Sequence, residues 1–182
     1  MTAYSHAADA SGAIDAPAET VFEFLDDQSN LSSHMGESSW MMLGSTMDIH
    51  MDERRTRSVG SKFGFTGRIL GIPLSVDETV TSREPPLSKT WETIGEPNLW
   101  VIGRYKMGFE LSPRPAGTML RVFIEYLRPW SGLPRLLGLF FGGTYARWCT
   151  RQMVTDAQKH FARRVLDQTD TAHANLSVRQ DR

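Results

Sequence analysis

The chain has a single cysteine, Cys149, in 182 residues. One thiol excludes an intramolecular disulfide, a Cys-x-x-Cys redox pair and a cysteine-built zinc site. It fits a reducing compartment, and the cytoplasm is the expected location. An excess of either charge is also missing, since 20 Lys and Arg against 21 Asp and Glu leave a formal charge of -1. Such a balance gives no overall field to attract nucleic acid, which is not an expected partner. Long apolar runs are absent as well. The densest, Leu136 to Phe141, falls far short of the roughly 20 residues that span a bilayer. The first ten residues, with Tyr4, Ser5, His6 and Asp9, lack the basic and apolar regions of a secretory signal. No internal repeat or low-complexity stretch occurs. His34 and His50 lie in no H-x-H or H-E-x-x-H spacing, so neither a metal nor another cofactor is expected.

What remains is enough for one folded domain with a real core. Its expected extent is residues 1–166. From Asp167 to Arg182 the apolar periodicity stops and the composition turns polar, which reads as a disordered tail. Ala8 to Ala16 reads as a strand ending at an Asp-Ala-Pro turn. Pro17 then opens a helix to Asp27 with Val21, Phe22, Phe24 and Leu25 on one face, a position where proline's missing N–H is harmless. Gln28 to Met35 reads as a second short helix.

Six strand-like segments follow at the spacing of an antiparallel meander: Trp40 to Asp52, Ser61 to Leu70, Pro73 to Arg83, Lys89 to Ile94, Leu99 to Leu111 and Thr118 to Leu127. Gly71-Ile72-Pro73, Pro85-Pro86, Gly95-Glu96-Pro97 and the Ser112 to Gly117 loop separate them. Alternation sorts their side chains into faces. Met41, Leu43, Ser45, Met47, Ile49 and Met51 share one parity. So do Leu99, Val101, Gly103, Tyr105, Met107, Phe109 and Leu111, and then Leu120, Val122, Ile124 and Tyr126. These sets are expected inside. Leu136 to Val165 reads as a long helix whose Tyr145, Cys149, Met153, Ala157 and Phe161 form a stripe at i, i+4 spacing, with Arg147, Arg151, Lys159 and Arg163 facing water.

A strand, two short helices, a six-strand meander and a long last helix, in that order, resemble the START-like helix-grip superfamily, also called SRPBCC. The likeness is carried by Ile14-Asp15-Ala16-Pro17-Ala18-Glu19-Thr20-Val21-Phe22-Glu23-Phe24-Leu25-Asp26-Asp27, and by Val76-Asp77-Glu78-Thr79-Val80-Thr81 through Pro85-Pro86 to Lys89-Thr90-Trp91-Glu92-Thr93. It covers about Ala8 to Val165. It implies an α+β fold, a curved antiparallel sheet of about seven strands wrapped around the C-terminal helix, with an apolar cavity between them. That superfamily includes polyketide cyclases and dehydrases, allergen-like carriers, coenzyme Q-binding proteins and lipid-transfer domains. It has no shared catalytic signature, so no catalytic residue carries over.

The expected ligand is a hydrophobic small molecule, lipid, isoprenoid or polyketide-like, held by Met41, Leu43, Ser45, Met47, Tyr105, Met107, Phe109, Tyr126, Cys149 and Met153. Thioethers adapt to ligands of varied shape, although methionines equally fill cores. The catalytic candidates of a cyclase- or dehydrase-like enzyme are Glu78, Tyr105 and Tyr126. Glu78 shares parity with Leu74, Val76 and Val80, so its carboxyl points inward, where burial raises its pKa into general acid–base range. The plainer alternative is a glutamate at the mouth, paired with arginine or wetted, and the rarity of fully buried glutamate favours it. For the tyrosines, packing with some ligand contact outweighs catalysis. His160 reads as a satisfied helix-face histidine and Cys149 as a small apolar filler. Leu133 to Phe141, flanked by Arg135, Arg147 and Arg151, has almost no polar face. Burial against the sheet or in a homodimer is the leading reading there, with a protein-interaction or membrane-surface module working through this segment as the alternative. Gly142-Gly143 offers a bending point beside it.

Overall fold

The structure is a computed structural model describing residues 4–31, 47–69, 71–129 and 132–180. Its elements run β1 (His6–Ile14), α1 (Ala18–Asp26), α2 (Gln28–Leu31), β2 (Met47–Met51), β3 (Lys62–Ile69), β4 (Ile72–Glu84), β5 (Ser88–Thr93), β6 (Tyr105–Arg114), β7 (Gly117–Tyr126) and α3 (Gly132–Gln180). The strands form one antiparallel seven-stranded sheet in the order β1-β7-β6-β5-β4-β3-β2. β2 to β7 are thus the expected meander, and β1 closes it beside β7. α3 crosses the concave face, mainly over β1 and β7.

Local chemistry sets these elements. Pro17, at φ -60, occupies the N-cap of α1, and its carbonyl accepts the Val21 N–H at 3.0 Å. Val21, Phe22 and Leu25 then bury one face of the helix, and Phe22 meets Phe109 edge-on. Asp27 leaves the helical region, and its side chain accepts the Ser29 N–H at 3.0 Å, so a new helix starts at once.

An ion pair beneath α1 ties it to the sheet. Arg83 grips the Asp26 carboxylate through Nε at 3.0 Å and Nη2 at 2.8 Å. Lys89, wholly buried, lies 3.1 Å from the same carboxylate and donates to the Asp26 carbonyl at 2.6 Å and to Thr56 Oγ1 at 3.1 Å. Burial alone would raise the Asp26 pKa, but the Arg83 bonds and the Lys89 charge outweigh it and hold the carboxyl below its ordinary value. Every charge in the cluster has a partner, the condition under which buried charge is tolerated.

Most of the expected inward parity holds. Tyr105, Met107, Phe109, Leu111, Leu120, Val122, Ile124 and Tyr126 are buried, as are Cys149, Met153, Ala157 and Phe161 on α3. The strand expected from Leu99 instead begins at Tyr105. Before it the chain crosses under α3, with the Gly103 N–H bonded to the Leu127 carbonyl, so alternation fails there: Ile102 is buried while Leu99 and Val101 are half-buried. The start of the strand expected from Trp40, and the end of the helix expected to reach Met35, lie outside the described residues. The helical backbone of α3 continues past Val165 because neither glycine nor proline follows Gly143. Its last buried side chain among those described is Phe161.

Candidate functional site

Antiparallel register brings one residue from each strand into a line across the concave face. Met51 pairs with Phe63, Phe63 with Glu78, and Glu78 with Thr93. The Tyr105 N–H bonds to Thr93 Oγ1 at 3.3 Å, Tyr105 pairs with Tyr126, and Tyr126 with His6. The neighbouring row, Val80, Trp91, Met107, Ile124 and Ala8, is apolar. A polar seam of Glu78, Thr93, Tyr105, Tyr126 and His6 therefore crosses the interior, separated by that apolar row from the buried cluster of Asp26, Lys89 and Thr56.

Glu78 is its most unusual member. The residue is 1% exposed, and neither carboxyl oxygen finds hydrogen-bond geometry with a described group. Burial pushes its pKa up to about 8, while the nearby Tyr105 hydroxyl and Trp91 indole N–H pull it back only in part. The alternative of a mouth glutamate paired with arginine or wetted by solvent is overturned. The β4 register places residue 78 opposite Phe63 and Thr93 in mid-sheet, and the residue is 1% exposed.

Its surroundings are neutral hydrogen-bonding groups. The Tyr105 phenol is held well above its ordinary range by burial and by the Glu78 charge. From α3, Tyr145 and Cys149 come near enough to feel Glu78. Burial raises both, the Cys149 thiol to about 12. Near neutral pH the cluster therefore holds a carboxylic acid, two phenols and a thiol, all protonated. Such a set can donate to, or exchange a proton with, a carbonyl or hydroxyl in an apolar molecule, but it offers no fixed negative charge to pair with a cation.

Tyr126 stands apart from this group. Its ring lies under α3, with the hydroxyl beside Gly143, and the ring centroid stands 5.4 Å from that of His6. Met107, Phe109 and Met153 are buried in the same interior, Met107 in the apolar row beside the seam and Phe109 in the next row, between Lys89 and Val122. Met41, Leu43 and Ser45 lie outside the described residues, as do the Met47 side chain and His34. His50 pairs with Asp77 at 3.1 Å on the exposed face of the sheet, and His160 stacks on Phe24 at 4.0 Å. Among the described residues no three His, Cys, Asp or Glu side chains converge as a metal site.

Thr93 and His6 were missed as members of the seam, and Tyr145 as a neighbour of Glu78. The inward parity of Lys89, Trp91 and Thr93 was readable from Lys-Thr-Trp-Glu-Thr, but joining Thr93 to Glu78 requires the strand register. An open groove of about 550 Å³ lies between Asp15–Glu19 and Pro113–Gly117, at the opposite ends of β1 and β7 from the seam, and shares no residue with it.

No family model matches this sequence, and no curated protein does. Solved structures do match in fold. The di-domain aromatase/cyclase StfQ of the steffimycin biosynthetic pathway superposes with a TM-score of 0.64 at 11% identity, over 87% of this chain and 52% of that one. The Zhui aromatase/cyclase from Streptomyces sp. R1128 gives 0.58 at 13%, over 88% and 95%. Ara h 8.0201 gives 0.56 at 10%, over 86% and 97%. At these identities the likeness is one of fold.

Proposed function

Starting from the helix-grip fold that the chain shares with these proteins, we propose that it binds a hydrophobic small molecule between the concave sheet and α3, with protonated Glu78 as its polar anchor. The fully buried carboxyl of Glu78, with only the Tyr105 hydroxyl and the Trp91 indole N–H near it and neither in full hydrogen-bond geometry, carries this reading. An under-satisfied polar group in a core costs about 1–3 kcal/mol, part of which a ligand oxygen relieves. Apolar walls with a few convergent polar groups are the usual makeup of a small-molecule site. A lipid, isoprenoid or polyketide-like molecule bearing a carbonyl or hydroxyl matches that makeup.

Native mass spectrometry of freshly purified protein, followed by denaturing extraction, tests it. The expected result is a stoichiometric apolar compound containing oxygen. Replacing Glu78 by Leu should weaken its rebinding about tenfold, the worth of one hydrogen bond at 1.4 kcal/mol. A protein that is empty, and stays empty with lipid, isoprenoid and aromatic panels, sinks the reading.

One observation favours an enzymatic extension of the same site. A carboxyl with a pKa near 8 can give and retake a proton near neutral pH, as cyclisation or dehydration of a polyketide-like chain demands. The Zhui and StfQ proteins, named as aromatase/cyclases, are consistent with that chemistry on this fold. Binding without turnover in wild type, or equal turnover in Glu78→Gln, removes the enzymatic reading and leaves the carrier.

A further inference from the structure

The first half of α3 presents an apolar ridge that the domain leaves uncovered. Leu139, Phe140 and Phe141 are 51%, 67% and 55% exposed. The other exposed large apolar side chains of the described residues, Val59, Leu87 and Ile94, occur singly. The expected burial of this turn against the sheet therefore fails at Leu139 to Phe141. The cause is visible on the opposite side of the helix. A Cβ at Gly142 would stand 2.7 Å from the Val101 carbonyl oxygen, and one at Gly138 2.7 Å from Pro129. These glycines seat the helix backbone directly on the Val101 and Pro129 segments, and a helix so seated cannot roll to bury its phenylalanines.

Charge is segregated in the same place. From Tyr126 to Thr155 the chain carries four arginines, Arg128, Arg135, Arg147 and Arg151, and no acidic residue. The rest of this -1 chain is correspondingly acidic. Arg147 and Arg151 follow Phe140 by seven and eleven residues, which places all three on one side of the helix, and both arginines are exposed.

We propose that this ridge docks on a bilayer bearing anionic headgroups. Leu139, Phe140 and Phe141 enter the acyl boundary while Arg147 and Arg151, about 10 and 16 Å further along the helix, meet phosphates. Among the described residues no helix is long and apolar enough to cross a membrane, so the contact is peripheral. The charge pattern disfavours a second copy as the occupant. Two such ridges face to face oppose arginine with arginine, with no carboxylate between Glu125 and Asp156 to offset them.

Flotation of the full chain with phosphatidylcholine vesicles, with and without phosphatidylglycerol, tests the proposal. Wild type should partition onto the anionic vesicles and lose most of that binding in high salt. The Phe140→Ser, Phe141→Ser double variant should bind at least tenfold more weakly. Arg147→Gln with Arg151→Gln should lose about twenty- to thirtyfold on anionic vesicles, at roughly fivefold per surface charge, and little of any residual binding to neutral ones. Failure of wild type to bind either vesicle overturns the proposal. So does undiminished binding by the phenylalanine variant, or a solution dimer that this variant abolishes while wild type ignores vesicles. Glu78→Gln should float as wild type does, so this result and the interior reading fail separately.

Discussion

Replacing Glu78 by Gln keeps the shape and polarity of the side chain and removes its proton equilibrium, which isolates the cost of burying this carboxyl. In the unfolded chain Glu78 titrates near its ordinary 4.5, and in the fold near 8. Between these values the folded state holds a proton that the unfolded state has released. Wild-type stability from this group is therefore intact below pH 4.5 and is lost progressively as pH rises to 8. Integrating the linkage relation from pH 5 to pH 8 gives a loss of a few kcal/mol, on the order of 1 kcal/mol per pH unit, that Glu78→Gln does not suffer. Urea unfolding of both proteins at half-unit steps over that range measures it. The other titrating groups, Asp26, Lys89 and His160 among them, are common to both and cancel in the difference. The expected result is a difference curve that favours the glutamine variant increasingly with pH and flattens above 8. Parallel profiles, within about 0.5 kcal/mol from pH 5 to 8, would refute the argument that the carboxyl is dry and lacks a countercharge.

Other consequences are as direct. Gly142→Ala should destabilise by about 1–3 kcal/mol despite alanine's better helix propensity, because its Cβ meets a backbone oxygen at 2.7 Å. Gly143→Ala, whose nearest neighbours lie at 3.6 Å, should gain up to about 1 kcal/mol; thermal unfolding of the pair separates close packing from propensity. Asp26→Asn leaves one of the two acceptor oxygens that Arg83 grips and removes the countercharge of buried Lys89, for a loss of about 3–5 kcal/mol at pH 7 by urea titration. Because the Asp26 pKa is lowered by folding, that stabilisation is present above its unfolded value and lost as pH falls below about 4, so the variant's disadvantage should shrink in acid. Cys149, buried and held protonated with a pKa near 12, should react with a thiol reagent at pH 8 only at the rate of unfolding; rapid native labelling would contradict its placement beneath α3.

The fold was legible in the sequence because its signals are local. Proline at the α1 cap, breakers between strands and an i, i+4 stripe on α3 each act within a few residues, and side-chain parity follows from the two-residue period. The inward direction of Glu78 came from parity with Val76 and Val80 alone. Its isolation did not, because that depends on facing Phe63 and Thr93 across two strand pairs, a long-range fact with no local trace. The same limit hid the burial of Lys89, whose partner Asp26 lies 63 residues away. It also misjudged Leu99 and Val101, where alternation continues in the sequence although the backbone has left the sheet.

The first half of α3 joins the two proposals. Three glycines at 138, 142 and 143 cost this helix roughly 3 kcal/mol in propensity relative to alanine, so something must offset them for the helix to persist there. Two admit the close approach to Val101 and Pro129, and Gly142 and Gly143 leave room for the Tyr126 ring at the end of the polar seam. The three exposed side chains between the glycines recover only part of that cost, since each leaves half or more of its surface in water. Surface substitutions of this kind change stability by about 0.5 kcal/mol or less, so Phe140→Ser with Phe141→Ser should melt as wild type does even as vesicle binding falls. One helix turn thus has its inner side committed to the fold, over the interior that holds Glu78, and its outer side free of any folding role. A docking surface there would place a bilayer against the segment that covers the interior holding Glu78.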